Sequence, residues 1–222
     1  MEQTLVGAKA KFSLVLDVRN LTPSTYILRF ERNKMDFKPG QYVTIGLPLN
    51  SQAREYSIYS SVALPYLEVL IKEVETGVVS KKLKRITPGD QIEVKGPFGY
   101  FGLEESKMCE KYLFIASGTG ISPFHSIITS HPNLNYTLLH GVRTSNEGYD
   151  KEVYDKSRYI QCTSRDDGGD FSGRVTAYLR QHPVDPQMFI YLCGNNEMID
   201  EAYRILEGQG VPPAHLFAEV YF

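Results

Sequence analysis

The chain of 222 residues is 42% hydrophobic and 23% charged, enough apolar material for one large or two small globular domains. Its 24 basic residues against 26 acidic ones leave a net charge of -2, which provides no global attraction to nucleic acid or to an anionic membrane. Residues 1–10 lack the apolar core of a secretory signal, and no stretch reaches the about 20 apolar residues of a membrane span, so a cytoplasmic protein is expected.

Up to about residue 100 apolar and polar residues alternate: Phe12, Leu14, Leu16 and Val18, then Val43, Ile45 and Leu47, then Leu67, Val69 and Ile71. This period of two predicts half-buried strands. The turn signals Lys38-Pro39-Gly40, Thr87-Pro88-Gly89-Asp90 and Gly96-Pro97-Phe98-Gly99 separate them at the density of a small antiparallel barrel. Within this part only residues 76–85 read as a helix. After residue 106 the pattern changes to short apolar runs at 112–116, 136–140 and 188–192, separated by segments of helical length, as in a parallel sheet covered on both faces. Helices are predicted at 174–181 and 196–207, and a last strand at 216–220. The polar stretch at 103–107 divides an all-β domain, 1–103, from an α/β domain, 104–222. Cys109, Cys162 and Cys193 show no CxxC spacing, so neither a disulfide framework, a zinc site nor an iron-sulfur cluster is expected in the chain.

Several segments have the residue types of cofactor sites. Arg54-Glu55-Tyr56-Ser57-Ile58-Tyr59-Ser60 combines a cation, aromatic rings and hydroxyls at a strand end, although alone it also fits an ordinary edge strand. Gly77-Val78-Val79-Ser80 joins a strand to a helix where free backbone N–H groups and a positive dipole end suit a pyrophosphate; a plain helix cap at Ser80 is compatible with that role. Ser117-Gly118-Thr119-Gly120-Ile121-Ser122-Pro123 follows a buried strand and opens a helix, with glycines that let backbone approach a phosphate. Cys193-Gly194 ends another buried strand ahead of Met198, where open α/β sheets bind ligands. The chain ends on Tyr221 and Phe222, two rings that suit a flat surface such as a flavin.

In order, Phe37-Lys38-Pro39-Gly40-Gln41-Tyr42, the RxYS element at Arg54 to Ser57, the GxxS turn at Gly77 to Ser80, the GTGxxP loop at Gly118 to Pro123, Cys193-Gly194 and Glu219-Val220-Tyr221 resemble the ferredoxin-NADP reductase family across nearly the whole chain. The resemblance implies an FAD-binding antiparallel barrel followed by a five-stranded parallel NADP(H)-binding domain, the flavin lying between them. It implies hydride transfer from the nicotinamide to flavin N5 and single-electron transfer to a ferredoxin or flavodoxin.

By residue, the resemblance implies that Arg54 pairs with FAD phosphate, Tyr56 packs on the isoalloxazine and Ser57 bonds near N5. Gly77, Val78, Val79 and Ser80 hold the pyrophosphate. Gly118, Thr119, Gly120, Pro123, Gly194 and Met198 serve the nicotinamide nucleotide, with Thr119 and Cys193 at the nicotinamide pocket. Glu219 tunes the one-electron-reduced flavin and its access to protons, and Tyr221 gates the flavin face. Phe222 departs from the plant-type ending and is similar to bacterial members whose aromatic extension reaches toward the FAD adenine.

Arg165, in Thr163-Ser164-Arg165, resembles the family's 2'-phosphate element, and Arg174 adds a second contact; Asp166, Asp167 and Asp170 crowd the same loop and oppose a phosphate. NADPH is preferred on this reading. The cluster Lys72, Lys81, Lys82, Lys84 and Arg85 reads equally as a docking patch for an acidic carrier or as the wet face of a short helix. A monomer without metal is expected. A reductase component of an oxygenase, or a flavin reductase using diffusible flavin, shares the same fold. A non-catalytic regulatory module predicts decay of the flavin motifs, which are intact. A hydrolase lacks support, because no GxSxG elbow occurs and the histidines lack metal spacing.

Overall fold

The computed structural model describes residues 11–48, 52–104 and 110–221. Its first half contains β1 (Lys11–Asn20), β2 (Thr25–Glu31), β3 (Tyr42–Gly46), β4 (Ala53–Ser57), β5 (Tyr66–Lys72), α1 (Val79–Leu83) and β6 (Gln91–Phe98). These strands form one sheet in the order β4-β3-β6-β1-β2-β5, every pair antiparallel. A further antiparallel bridge between Ile58 and Val69 brings its two edges together, so the sheet curls into a barrel around Val15, Phe30, Val43, Ile45, Leu67 and Val94.

The first strand departs from its expected facing. Phe12, Leu14 and Leu16 are exposed, at 57%, 38% and 43%, while Ser13 and Val15 point inward. Alternation shows which residues share a face but not which face meets the core. An irregularity between Val15 and Asp17 then shifts the phase, so that Val15 and Val18 both pack on the barrel interior. The predicted helix at 76–85 is confined to the five residues of α1.

The second half contains β7 (Lys111–Ser117), α2 (Ser122–Ser130), β8 (Asn135–Val142), β9 (Tyr159–Thr163), β10 (Phe171–Ser172), α3 (Val175–Gln181), β11 (Phe189–Gly194), α4 (Asn196–Gly208) and β12 (Leu216–Val220). All pairs are parallel, in the order β10-β9-β8-β7-β11-β12. The sheet thus has six strands rather than the expected five. The additional one, β10, has two residues and is too short to leave a periodic signal. Both faces of the central strands are buried: Tyr112 and Phe114 pack with α2, and Leu113 and Ile115 with α3 and α4, which explains their continuous apolar run.

The two halves are joined by a dense seam. Ile27, Tyr59 and Leu70 of the barrel belong to the same buried cluster as Phe114 and Phe124. Ser126 donates to the Ser60 carbonyl at 2.8 Å, and His125 stacks on the Tyr59 ring while its Nδ1 donates to the Tyr59 carbonyl at 2.7 Å. The Arg19 guanidinium forms a two-pronged pair with Asp150 at 2.8 and 2.7 Å, and the Tyr59 hydroxyl donates to the same carboxylate at 3.1 Å. Among the described residues no helix is long and apolar enough to cross a membrane.

Candidate active site

The strand order of the parallel sheet reverses between β7 and β11, and there, beyond the carboxyl ends of the strands, lies a cleft of about 740 Å3. That is where open α/β sheets bind ligands, and the volume suits a dinucleotide. The loops after β7 and β11 meet so closely that a Cβ on Gly120 would sit 2.3 Å from the Cys193 carbonyl oxygen, and one on Gly194 would sit 2.1 Å from Ser117 Oγ. Gly118, in contrast, has φ +54° and open space where its Cβ would be. Ser117 Oγ accepts from the backbone N–H of Asn195 at 3.1 Å, and Asn195 Oδ1 caps α4 by accepting from Met198 N–H at 2.9 Å.

Of the residues singled out in the sequence, Gly118, Thr119, Arg165, Arg174, Gly194, Met198 and Tyr221 line this cleft. Gly120 and Pro123 are buried behind it. Ser164, of the same element as Arg165, lines it too, as do Arg143 and Lys72, which were not foreseen as nucleotide contacts. Arg143 directly follows β8, and its place one residue past a parallel strand was the signal available. Lys72 comes from the barrel and reaches the cleft only through the seam. Its ammonium lies 3.6 Å from Glu147, whose other oxygen accepts from Arg143 N–H at 2.8 Å.

The three carboxylates of the acidic loop are hydrogen-bonded within the domain. Asp166 accepts from Ser145 N–H at 2.8 Å, a bond that holds its carboxyl below the usual range; Asp167 accepts from Ser172 Oγ at 2.7 Å, and Asp170 from Gln161 N–H at 2.8 Å. None of the three lines the cleft, whose charged lining consists of Lys72, Arg143, Arg165 and Arg174 together with Glu147, Glu197 and Glu201.

Where the cleft meets the barrel, Ser57 at the end of β4 donates to Glu219 Oε1 at 3.1 Å. Burial raises the Glu219 pKa above the ordinary value, with the nearby Glu55 charge acting in the same direction and the Ser57 bond opposing. Glu219 stands opposite Cys193 in the β11–β12 pairing. Cys193 is fully buried behind the cleft lining, and burial pushes its thiol well above the usual range. Tyr221 is fixed by its N–H donating to the Gly194 carbonyl at 2.7 Å, and its hydroxyl is buried beside Ser57 and Cys193.

Farther along the barrel, Tyr56 is half-buried and burial raises its phenol to about 12. Arg54 is exposed, with its guanidinium donating to the neighbouring Ala53 carbonyl at 2.8 Å. Ser80 is buried: its hydroxyl accepts from Val74 N–H at 3.1 Å and its carbonyl accepts from Tyr26 Oη at 2.6 Å, so the side chain braces the turn, and the helix cap falls on Val78. Gly77 and Val79 complete that turn, and Val78 is exposed at its head. Of the basic cluster, Lys72 turns to the cleft, Lys84 pairs with Glu73 at 2.8 Å, Lys81 bonds the Glu75 carbonyl, and Lys82 and Arg85 are exposed. Phe222 lies outside the described residues.

Residues 13–102 match the model of the oxidoreductase FAD-binding domain, and residues 114–204 that of the oxidoreductase NAD-binding domain. The chain belongs to the FAD- and NAD-binding oxidoreductases of the ferredoxin-NADP reductase family. It is 26% identical to the flavodoxin/ferredoxin-NADP reductase of Escherichia coli over 94% of this chain and 97% of that protein. It is 28% identical to the toluate 1,2-dioxygenase electron transfer component of Pseudomonas putida over 93% of this chain, but spans only 66% of that protein's length. In fold it is similar to a ferredoxin NADP+ reductase from Neisseria gonorrhoeae solved with bound FAD and NADP, with a TM-score of 0.83 at 21% identity over 97% of this chain and all of that one. A ferredoxin reductase of a carbazole 1,9a-dioxygenase system gives a TM-score of 0.84 at 24% identity, covering 96% of this chain and 70% of that one.

Within this family fold, the FAD-binding half ends its strands at Phe98 and the NAD-binding half begins its own at Lys111. The motifs adjoining Cys193, Ser57, Glu219 and Tyr221 converge from both halves on one place. The motif at Gly77 to Ser80 stands apart from it on the barrel.

Proposed function

We propose that the chain is an FAD-dependent reductase that oxidises NADPH and passes electrons singly to a ferredoxin or flavodoxin. The observation that carries this reading is the convergence at Tyr221: a cleft bearing four cationic side chains ends at the residue that adjoins the Ser57–Glu219 pair.

The donor set fits FAD. Arg54 has an exposed guanidinium engaged only to its neighbour's carbonyl among the described residues, and Val78 is exposed at the head of a turn braced by Ser80. Arg54 and the turn from Gly77 to Ser80 would hold its phosphates, and Tyr56 and Tyr221 its ring. When bound, FAD supplies the conversion between a two-electron hydride and single electrons.

The protein contributes placement and proton handling. Gly118 and Thr119 orient the dinucleotide with Gly194 and Met198, while Arg143, Arg165 and Arg174 neutralise the 2'-phosphate. Tyr221 excludes water from the meeting point until nicotinamide replaces its ring. Ser57 and Glu219 hold a proton at the serine hydroxyl, and the raised Glu219 pKa keeps that carboxyl protonated over a wider pH range. The domains are taken as 1–103 and 104–222, and the molecule as a cytoplasmic monomer.

The likeness to the toluate dioxygenase component supports a second reading, in which the acceptor is the iron-sulfur protein of an oxygenase and only the carrier differs. Purified protein is expected to be yellow, to bleach anaerobically faster with NADPH than with NADH, and then to reduce one class of carrier in a screen. Colourless protein that cannot be reconstituted with FAD overturns the reading. Faster reduction by NADH removes the role given to Arg143, Arg165 and Arg174.

A further inference from the structure

His140 belongs to none of the motifs of the proposed mechanism, yet it is wholly buried on β8 beneath the cleft. Both ring nitrogens are engaged. Nε2 lies 2.9 Å from the Gly118 carbonyl oxygen, and Nδ1 lies 2.9 Å from the Tyr159 hydroxyl. A carbonyl can only accept, so Nε2 carries the proton, and Nδ1 accepts from Tyr159. Burial holds the ring's pKa down at about 4, so it is neutral at ordinary pH and acts through one fixed tautomer.

The consequence follows from peptide geometry. In a trans peptide the C=O of one residue and the N–H of the next point in opposite directions. With the Gly118 carbonyl drawn inward onto His140, the Thr119 N–H is turned outward, and Thr119 lines the cleft. The next peptide is held in the same way: the Thr119 carbonyl accepts from Ser122 Oγ at 2.7 Å and from Ser122 N–H. Two successive carbonyls held from within leave two successive N–H groups directed away from the core, the arrangement that forms an anion-binding concavity. Gly118 accepts the positive φ this needs, and no neighbouring atom occupies the space above it.

We propose that His140 is a positioning residue for dinucleotide binding: its Nε2–H anchors the Gly118 carbonyl and thereby aims the Thr119 N–H at a phosphate of the nicotinamide nucleotide. The inference rests on the reading of the cleft as the nucleotide site. It adds a residue that sets the loop without touching the ligand.

The test compares two amides in FAD-loaded protein. His140→Gln places its side-chain NH2 near the Nε2 position, whereas His140→Asn reaches only the Nδ1 position. Dissociation constants for NADP+, NAD+ and adenosine 2'-monophosphate are read from flavin difference spectra or calorimetry. His140→Gln is expected to bind both dinucleotides within about threefold of wild type, and His140→Asn to bind both about tenfold more weakly, with the monophosphate unchanged. Equal binding by the two variants overturns the proposal, as does an equal loss for the monophosphate, which marks general loosening of the domain. Wild-type protein provides a check that needs no variant: 15N NMR is expected to show the Nε2-protonated tautomer, and an Nδ1-protonated ring overturns the anchor. Wild-type protein that binds neither dinucleotide defeats the cleft reading together with this one, whereas normal wild-type binding with indistinguishable amide variants defeats only the role of His140.

Discussion

In the cleft beyond β7 and β11, backbone lies against backbone. Gly120 and Gly194 let the loops after β7 and β11 touch, and Asn195 and His140 tie those loops to Ser117 and Gly118. On the outer face of the barrel, where Arg54 and the Val78 turn stand, the groups offered to a ligand are exposed side chains and the head of a five-residue helix. On the proposed function, the cleft is built before its ligand arrives, and the barrel face is completed by the ligand. A site for a substrate that comes and goes gains from low ordering cost at each event, whereas a retained cofactor orders its surroundings once.

Acid should separate the two regions most strongly. His140 under the cleft and His125 in the seam are both held at about 4 by burial, against about 6.5 in the unfolded chain. Between those values the unfolded state binds more protons, so their contribution is complete above pH 6.5 and is lost as pH falls toward 4. Each accounts for roughly 3 kcal/mol over that window. Glu219, paired with Ser57, has the opposite sign: its folded pKa is raised, so the folded state is favoured as pH falls through it. Urea unfolding at pH 7, 6 and 5 is expected to show falling stability with uptake of protons on unfolding. A flat profile removes the histidines' distinction from the barrel face.

A comparison of two glycines in the loop after β7, Gly118 and Gly120, sharpens the contrast within the cleft itself. Gly120→Ala places a methyl carbon 2.3 Å from the Cys193 oxygen and 2.8 Å from Gly194 Cα, and only movement of backbone can relieve it. The expected cost is roughly 3 kcal/mol, together with a severe loss of NADP+ affinity. Gly118→Ala meets nothing within 4 Å and bears only the strain of φ +54°, about 1 kcal/mol. Denaturation midpoints and NADP+ titrations of the two variants check this, and equal losses for both contradict an interlocked floor beneath an open turn.

The parts of the molecule legible in the sequence are those where local chemistry and tertiary structure ask for the same residues. The run at 112–116 is apolar throughout because both faces are covered, and the glycines at 118 and 120 mark a loop that one position leaves open and the other closes. What escaped depends on distant partners. The phase of β1 is decided by the irregularity after Val15, and β10 exists only because two residues pair with Cys162 and Thr163. The partner of Asp166, Ser145, lies 21 residues away and leaves no local signal. Lys72 belongs to the cleft through the docking of two domains, which no local pattern records.

The smallest stability effect is expected at Arg54, and its value lies in that smallness. The guanidinium is exposed and donates to the adjacent Ala53 carbonyl, so Arg54→Ala removes little from the folded apoprotein, within about 0.5 kcal/mol. If the side chain instead serves a phosphate of FAD, the same variant weakens FAD binding by about tenfold or more, because a charge-assisted bond is lost only when the ligand is present. Urea unfolding of apoprotein and a fluorescence titration with FAD, run on the same preparation, separate the two quantities. A loss in the apoprotein as large as that of Gly120→Ala means that the barrel face is as interlocked as the cleft, and the division between a prebuilt nucleotide site and a ligand-completed flavin site no longer holds.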